Sequence, residues 1–492
     1  MSTPLREELR IIAKGEIFDD DWNRKIYSVD ASRYSLVPLA VAYPTDALDL
    51  QQICQYCFDK NIPSVARGAG TGLLGQSLAN GLVLDFTKHM NRIIDVEEDF
   101  VLVEPGIVKG VLDRELKRRG KFIPPDPASS NYCTIGGMIA NNSGGPHGLL
   151  YGSTIDFIEG LGVVYADGSY HCISDEYSRE DNTIKLLKLL SQYVKDIRVA
   201  FPEVRKNSCG YRLDAVISGK GFFPHKLFAG SEGTLGYVTS AKLKILDLPT
   251  DRHLQVFAFE DLLSAIAILP GILTFSPCAV EMLDHTALET DSNATQRSKG
   301  CLLFVEFASN NLTELERRSN YCKDKISGNC TTIETASDER SLDQIWAARS
   351  GALNNVMKIT VGSRKPIGLI EDTVEKINFL YDYVLYLLKM YTENKLDYVM
   401  YGHLGDGNIH TRPMVNMDSP EDIRLIQCIA DAVFSQVIRN KGTITGEHGD
   451  GLARVNYIPE VYGEFIFSLF REVKRLFDPG FLLNPGKKIR SG

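Results

Sequence analysis

Along the first half of the chain, short runs rich in Val, Ile and Leu alternate with longer amphipathic stretches, and the two patterns predict different elements. Gly81 to Asp85, Phe100 to Val103 and Leu161 to Tyr165 are short and β-branched and read as strands. Ala47 to Lys60 and Val108 to Arg119 carry helical spacing instead, and glycine-rich turns separate the two kinds of run. The mixture continues to Leu248, where L-P-T-D-R marks a junction. From His253 the rhythm becomes strand, helix, strand: His253 to Phe259, a helix from Glu260 to Leu269 that Pro270-Gly271 is expected to stop, then Cys301 to Ala308. A charged helix, Leu312 to Ser327, follows. Strands and helices interleaved in this way predict an α+β unit whose antiparallel sheet is covered on one face. Glu421 to Arg439 and Tyr462 to Phe477 read as amphipathic helices, the first with Ser419 as N-cap and Pro420 in its first turn. The tail from Phe477 to Lys488 holds two Pro-Gly turns, so it is expected to pack back on the first domain. The expected division is therefore 1–248, 249–455 and 456–492.

Composition narrows the function classes. At 492 residues the chain exceeds one ordinary core, and 44% hydrophobic with 24% charged residues is the balance of a globular protein. A formal charge of -9 and an isoelectric point near 5.6 offer no basic field to recruit nucleic acid or an anionic membrane. No apolar stretch approaches the roughly 18 to 20 residues of a spanning helix. Ten cysteines are scattered without the spacing of a disulfide framework, so a reducing, cytoplasmic setting is expected, with attachment at the inner face of a membrane left open. Cys54 and Cys57 form the one C-x-x-C, inside a helical stretch with no second pair to complete a tetrahedral site, which favours ordinary packing over redox or metal use.

Chemistry concentrates in two glycine-rich segments, Y-G-H-L-G-D-G-N-I-H (Tyr401 to His410) and T-G-E-H-G-D-G (Thr445 to Gly451). Together they hold three of the nine histidines. Two imidazoles and a carboxylate, His403, His410 and Glu447, suit a divalent transition metal, and His448 beside the carboxylate suits acid/base chemistry. An odd separation puts His403 and His410 on opposite faces of one unbroken strand, but Asp406-Gly407 is a hairpin signal. On paired strands flanking a turn, both can point at one ion. The alternative is a pair of polar turns with solvated histidines. Glu447 and His448 can serve one site only if the backbone is kinked between them.

Three further segments are rich in glycine: Pro63 to Ser77, with glycines at 68, 70, 72 and 75; Pro124 to Gly148; and Leu227 to Thr239. The first departs from the dinucleotide-binding fingerprint and, taken alone, serves equally as a turn or as an anion nest. Backbone so poor in side chains loses packing, and three such segments suggest a large, flat, phosphate-bearing ligand that fills the space.

The motifs R-G-A-G-T-G, P-D-P-A-S-S, T-I-G-G-M-I-A-N-N-S-G-G, K-N-S-C-G-Y, A-G-S-E-G-T-L-G, G-H-L-G-D-G-N-I-H, G-E-H-G-D-G and L-N-P-G-K, in that order from about Tyr43 to Lys488, resemble the FAD-linked D-2-hydroxyacid dehydrogenases of the vanillyl-alcohol oxidase superfamily. The resemblance implies an FAD-binding domain of that superfamily's type plus an α+β cap. Arg67, Gly68, Ala69, Gly70, Thr71 and Gly72 would surround the pyrophosphate. Pro125, Asp126, Ser130, Thr134, Gly137, Asn141, Gly144 and Gly145 would follow the ribityl and flavin portions, with Glu232, Gly236 and Val238 on the adenine side. Members that attach flavin covalently through this loop use a histidine at the position of Thr71, so FAD is expected to be non-covalent.

The resemblance also implies that a 2-hydroxy acid chelates the ion's open positions, that His448 takes the hydroxyl proton while hydride leaves C2 for the flavin, and that a 2-oxo acid results. Zn²⁺, Mn²⁺, Fe²⁺ and Co²⁺ all suit the donor set, and the family favours zinc or manganese. Arg349 matches the family's substrate arginine, with a surface charge as the alternative, and Lys365 matches its lysine. Arg412 stands where one family branch has a small amide. On a strand it shares a face with His410, and a second cation hints at a dicarboxylate such as D-2-hydroxyglutarate over D-lactate or glycolate. The R-K-P-I-G-L-I-E-D-T and H-T-R-P stretches resemble a branch with a C-terminal iron–sulfur region, yet no cysteine-rich tail is present. Either the electron acceptor is a separate partner, such as an iron–sulfur subunit, an electron-transfer flavoprotein or quinone, or the enzyme uses something else. A homodimer is left open. The rival expectations are an alkylglycerone-phosphate synthase-like transferase and a non-catalytic flavin electron-transfer subunit.

Overall fold

The computed structural model describes residues 4–175, 181–288, 300–356 and 360–490. Its first sheet has four strands in the order Ile17–Phe18, Ala40–Ala42, Leu82–Asp85 and Ser64–Arg67, the last three parallel. Parallel strands need a crossover, and the helix Ala47–Asp59 supplies it. Asp46 caps that helix by accepting the Asp49 N–H at 2.8 Å. Leu50, Ile53, Cys54 and Cys57 are buried along it, so the C-x-x-C thiols are core packing. Burial pushes the Cys57 thiol up to about 12, which leaves it inert.

A second, antiparallel sheet runs Ile93–Val96, Phe100–Val103, Tyr237–Lys244, Ile158–Val164, Tyr170–Ser174. The third is the largest. It runs Thr331–Ala336, Asp251–Phe259, Cys301–Ser309, Ala279–Leu283, Tyr398–His403, Asn408–Val415, Lys365–Pro366, with Thr373–Val374 also on Asn408–Val415, and every pairing is antiparallel.

Two expectations about this third unit need correcting. The sheet is covered on both faces: Phe257, Leu303, Val305 and Phe307 pack with residues of the helices Leu262–Leu273 and Leu312–Ile326, whereas Leu254, Val256 and Phe304 pack with Leu342, Ile345 and Trp346 of the helix Glu339–Val356. Two buried sets offset by one residue are what the two-residue alternation of a strand delivers. The helix expected to stop at Pro270 continues to Leu273. So close to the C-terminus, proline forfeits a single backbone hydrogen bond, which buried Leu269 and Ile272 outweigh.

The helix expected from Tyr462 spans Ile458–Phe477 but is broken by Gly463 at φ 77°, which leaves the predicted piece beyond the kink. After it, the tail returns to the first sheet: Ser64 N–H donates to Leu482 O (2.9 Å) and Asn484 N–H to Ser64 O (2.7 Å). Among the described residues no helix is long and apolar enough to cross a membrane.

One buried carboxyl gives a stability prediction. Glu375 is 1% exposed beside the turn at Gly407, and its Oε2 has no hydrogen-bond partner among the described residues. Burial pushes its pKa from 4.5 up to about 8, against the opposing bond from the Asn440 amide (3.0 Å). A raised folded pKa stabilises below the unfolded value, and that stability is lost as pH rises through the folded one. Glu375→Gln is therefore expected to raise Tm by roughly a few degrees at pH 8, with the gain vanishing below about pH 4.5. Thermal melts across that range check it.

Candidate active site

The hairpin of Tyr398–His403 and Asn408–Val415 pairs Tyr401 with His410 and His403 with Asn408. Its turn, Leu404–Asp406, ends on Gly407 at φ 72°, where a Cβ would lie 2.1 Å from Glu375 O. Only glycine fits there. Strand alternation then places Tyr401, His403, His410 and Arg412 on one side, and all four line the same cleft.

Glu447 and His448 arrive on a segment that is neither helix nor strand. Asp372 shapes it. This residue is fully buried at φ 70°, and its carboxylate accepts the backbone N–H of Glu447 (3.1 Å) and of His448 (2.9 Å) and the Thr445 hydroxyl (2.7 Å). Successive amides drawn onto one carboxylate curl the chain, so neighbours that would diverge on a strand face one point. That is the kink the sequence demanded. Its agent was missed, although Asp372 sits in the I-E-D-T stretch read for Lys365.

Three imidazoles converge on one oxygen. Glu447 Oε1 lies 2.9 Å from His403 Nε2, 3.7 Å from His410 Nε2 and 4.0 Å from His448 Nε2. The His403 and His410 rings stand at 88° with centroids 5.3 Å apart, and His448 stacks on His410 at 4.9 Å. Glu281 Oε1, 2.7 Å from His403 Nδ1, fixes that ring with Nε2 turned to Glu447. Buried His410 Nδ1 has no hydrogen-bond partner among the described residues. Asp372, His410, Glu447 and His448 also offer donor atoms within 4.8 Å of one another, an overlapping set. These donors fit a divalent ion.

The environment separates the imidazoles electrostatically. Burial opposes charge on His403, but Glu281 and Glu447 outweigh it and raise its pKa to about 9. Burial, with His448 and His403 nearby, pushes His410 down to about 3, so it is a neutral donor. For His448, Asp372 and Glu371 outweigh burial and the pKa lies above its ordinary value.

Of the three cations expected around substrate, two reach the cleft. Arg349 is 3% exposed and pairs with Glu281, so it is no surface charge. Arg412 pairs with Glu371. Lys365 does not reach: it is exposed on its strand, because neighbouring Pro366 takes the buried position.

A cleft of about 430 Å³ runs from the first sheet's glycine loop to these histidines. Arg67 to Gly72, Thr134, Gly137, Asn141, Gly144, Glu232, Gly236 and Val238 line it as expected from the sequence. Pro125, Asp126, Ser130 and Gly145 do not, and Pro127, Ala128 and Ser129 stand in their place. Asp126 turns instead to His147 (2.6 Å to Nδ1), Ser130 donates to Pro127 O, and a Cβ on Gly145 would lie 2.4 Å from Asp126 O, so these residues shape the loop from behind. Gln76 was also missed: it lines the cleft and donates to His448 O.

Whether a flavin nucleotide fits is tested by the loop's backbone. The N–H groups of Gly68 to Leu73 make no hydrogen bond to another described residue. A run of free amides beside Gly70 at φ 67° is a cradle for phosphate oxygens. A Cβ on Gly68 would lie 2.2 Å from Thr134 Oγ1, so the segments approach as closely as backbone allows.

Residues 38–174 match the FAD binding domain family and residues 248–488 the C-terminal domain of FAD linked oxidases. D-2-hydroxyglutarate dehydrogenase of Escherichia coli is 30% identical over 94% of this chain and 49% of its own length, so the chain spans about half the length of such relatives. Glycolate oxidase subunit GlcD of Bacillus subtilis is 29% identical over 98% of this chain and 96% of its own. In fold, p-cresol methylhydroxylase superposes with a TM-score of 0.73 at 14% identity, over 98% of this chain and 96% of that one. With both domain families matched in order, the chain belongs to the FAD-linked D-2-hydroxyacid dehydrogenase family of the vanillyl-alcohol oxidase superfamily.

Proposed function

We propose that this chain oxidises a D-2-hydroxy acid, D-2-hydroxyglutarate or D-lactate being favoured, to the 2-oxo acid, with non-covalent FAD, a divalent zinc or manganese ion, and an acceptor other than NAD. In this reading residues 1–248 hold the flavin, 249–455 carry the metal and substrate groups, and 456–492 close the structure. The observation that carries it is the convergence of His403, His410 and His448 on Glu447 Oε1 at one end of the cleft whose other end is the free-amide loop. The names of relatives, D-2-hydroxyglutarate dehydrogenase and glycolate oxidase subunit, support the substrate class.

When bound, FAD supplies a two-electron acceptor and the ion supplies Lewis acidity. His403, His410 and Glu447 would hold the ion and Gly68 to Gly72 the pyrophosphate. Thr71 lacks the ring nitrogen through which a histidine at this position attaches flavin. Arg349 and Arg412 orient substrate carboxylates. Because each is already paired with a glutamate, it offers donors of fixed direction more than free charge. His448 takes the hydroxyl proton at Nε2, and Glu371, 3.4 Å from Nδ1, steadies the charge that results. An iron–sulfur subunit, an electron-transfer flavoprotein or quinone then receives the electrons.

A panel of D- and L-2-hydroxy acids with an artificial dye as acceptor tests this. Turnover is expected with D-acids, and faster with a dicarboxylate if Arg412 holds a second carboxylate. Turnover with L-acids alone, or with none, sinks the reading.

A further inference from the structure

Lys206 is 2% exposed, and neither metal nor substrate chemistry asks for it. Its Nζ lies 3.2 Å from Glu447 Oε2, 3.2 Å from Asp406 Oδ2 and 3.0 Å from Gly145 O. It thereby ties the bent segment carrying Glu447 to the turn between His403 and His410 and to the flavin-side glycines. Room for it is made by those glycines: a Cβ on Gly148 would lie 2.9 Å, and one on Gly144 3.3 Å, from Lys206 Cε. A buried cation is costly to desolvate, so its place beside a ligand carboxylate calls for a reason.

We infer that Lys206 is a positioning residue that ties up the outer oxygen of Glu447, limits that carboxylate to one oxygen toward the ion, and tempers the ion's affinity. The inference rests on the metal reading above. With Oε2 held, Glu447 occupies a single coordination position and the others stay open for substrate. The lysine's charge also repels a divalent ion, and Asp406 partly offsets that charge. Without Lys206, Glu447 is free to bind through both oxygens, and the ion binds more tightly.

The test uses the flavin-loaded chain stripped of divalent ions and titrated with Mn²⁺, free Mn²⁺ being read by electron paramagnetic resonance. Lys206→Met, an unbranched neutral chain for the same channel, is expected to tighten Mn²⁺ about tenfold or more, and Asp406→Asn to loosen it about tenfold. Opposite signs are not what loss of packing produces. Retained flavin absorbance verifies folding, and near-isosteric Asp406→Asn carries the test if Lys206→Met does not fold. Unchanged or weaker binding in a folded Lys206→Met, or tighter binding in Asp406→Asn, overturns the inference. Absence of binding in the parent chain, or binding that survives His403→Ala, overturns the metal reading itself and this inference with it.

Discussion

Replacing His448 with alanine lowers D-2-hydroxy acid oxidation by about two to four orders of magnitude while FAD stays bound. Of the three imidazoles converging on Glu447, His448 is the most open, its side chain 20% exposed against 7% for His403 and 3% for His410. It stands where a proton can leave toward the cleft. Its backbone is held independently, the N–H by Asp372 and the carbonyl by Gln76, so alanine removes the ring without releasing the segment. The loss is therefore expected in kcat with saturating dye, with flavin content unchanged. A change of less than about tenfold would place proton removal elsewhere.

The second large effect concerns the ion. Stripping divalent metal with a chelator is expected to lower turnover by about two orders of magnitude or more, and zinc or manganese to restore it. Glu447→Gln should lose as much and resist restoration, because it removes the negative charge on which the imidazoles converge and leaves one oxygen to serve both Lys206 and the ion. Metal content by elemental analysis, measured beside activity, separates loss of the ion from loss of the fold. Full activity in a protein shown to be metal-free would contradict the assignment of His403, His410 and Glu447.

What the sequence revealed and what it hid follows the range of the interactions. The hairpin carrying His403 and His410 was legible because Asp406-Gly407 and strand alternation are local signals, and register alone turned both rings to one side. The need for a kink at Glu447-His448 was legible from the same alternation. Its cause was not, since Asp372 lies 75 residues before Glu447. Lys206 is 241 residues from Glu447 and Gln76 is 372 from His448, and no spacing rule reaches so far. Lys365 misled because resemblance carries residue type but not strand face, and Pro366 took the inward position. Pro125, Asp126, Ser130 and Gly145 misled in a similar way: the loop turns a few residues later than the motif implied, so they brace it from behind. For Arg349 the sequence leaves a surface role open, and burial beside Glu281 removes that alternative.

The most direct measurement is rapid anaerobic mixing of the FAD- and metal-loaded chain with D-2-hydroxyglutarate and D-lactate, following the visible flavin absorbance and quantifying product. At least one of these D-acids is expected to bleach the flavin and yield one equivalent of 2-oxo acid per flavin, with bleaching strongly slowed in the metal-stripped protein. An oxidised flavin that stays coloured with every D-2-hydroxy acid, metal present, would contradict the proposed function.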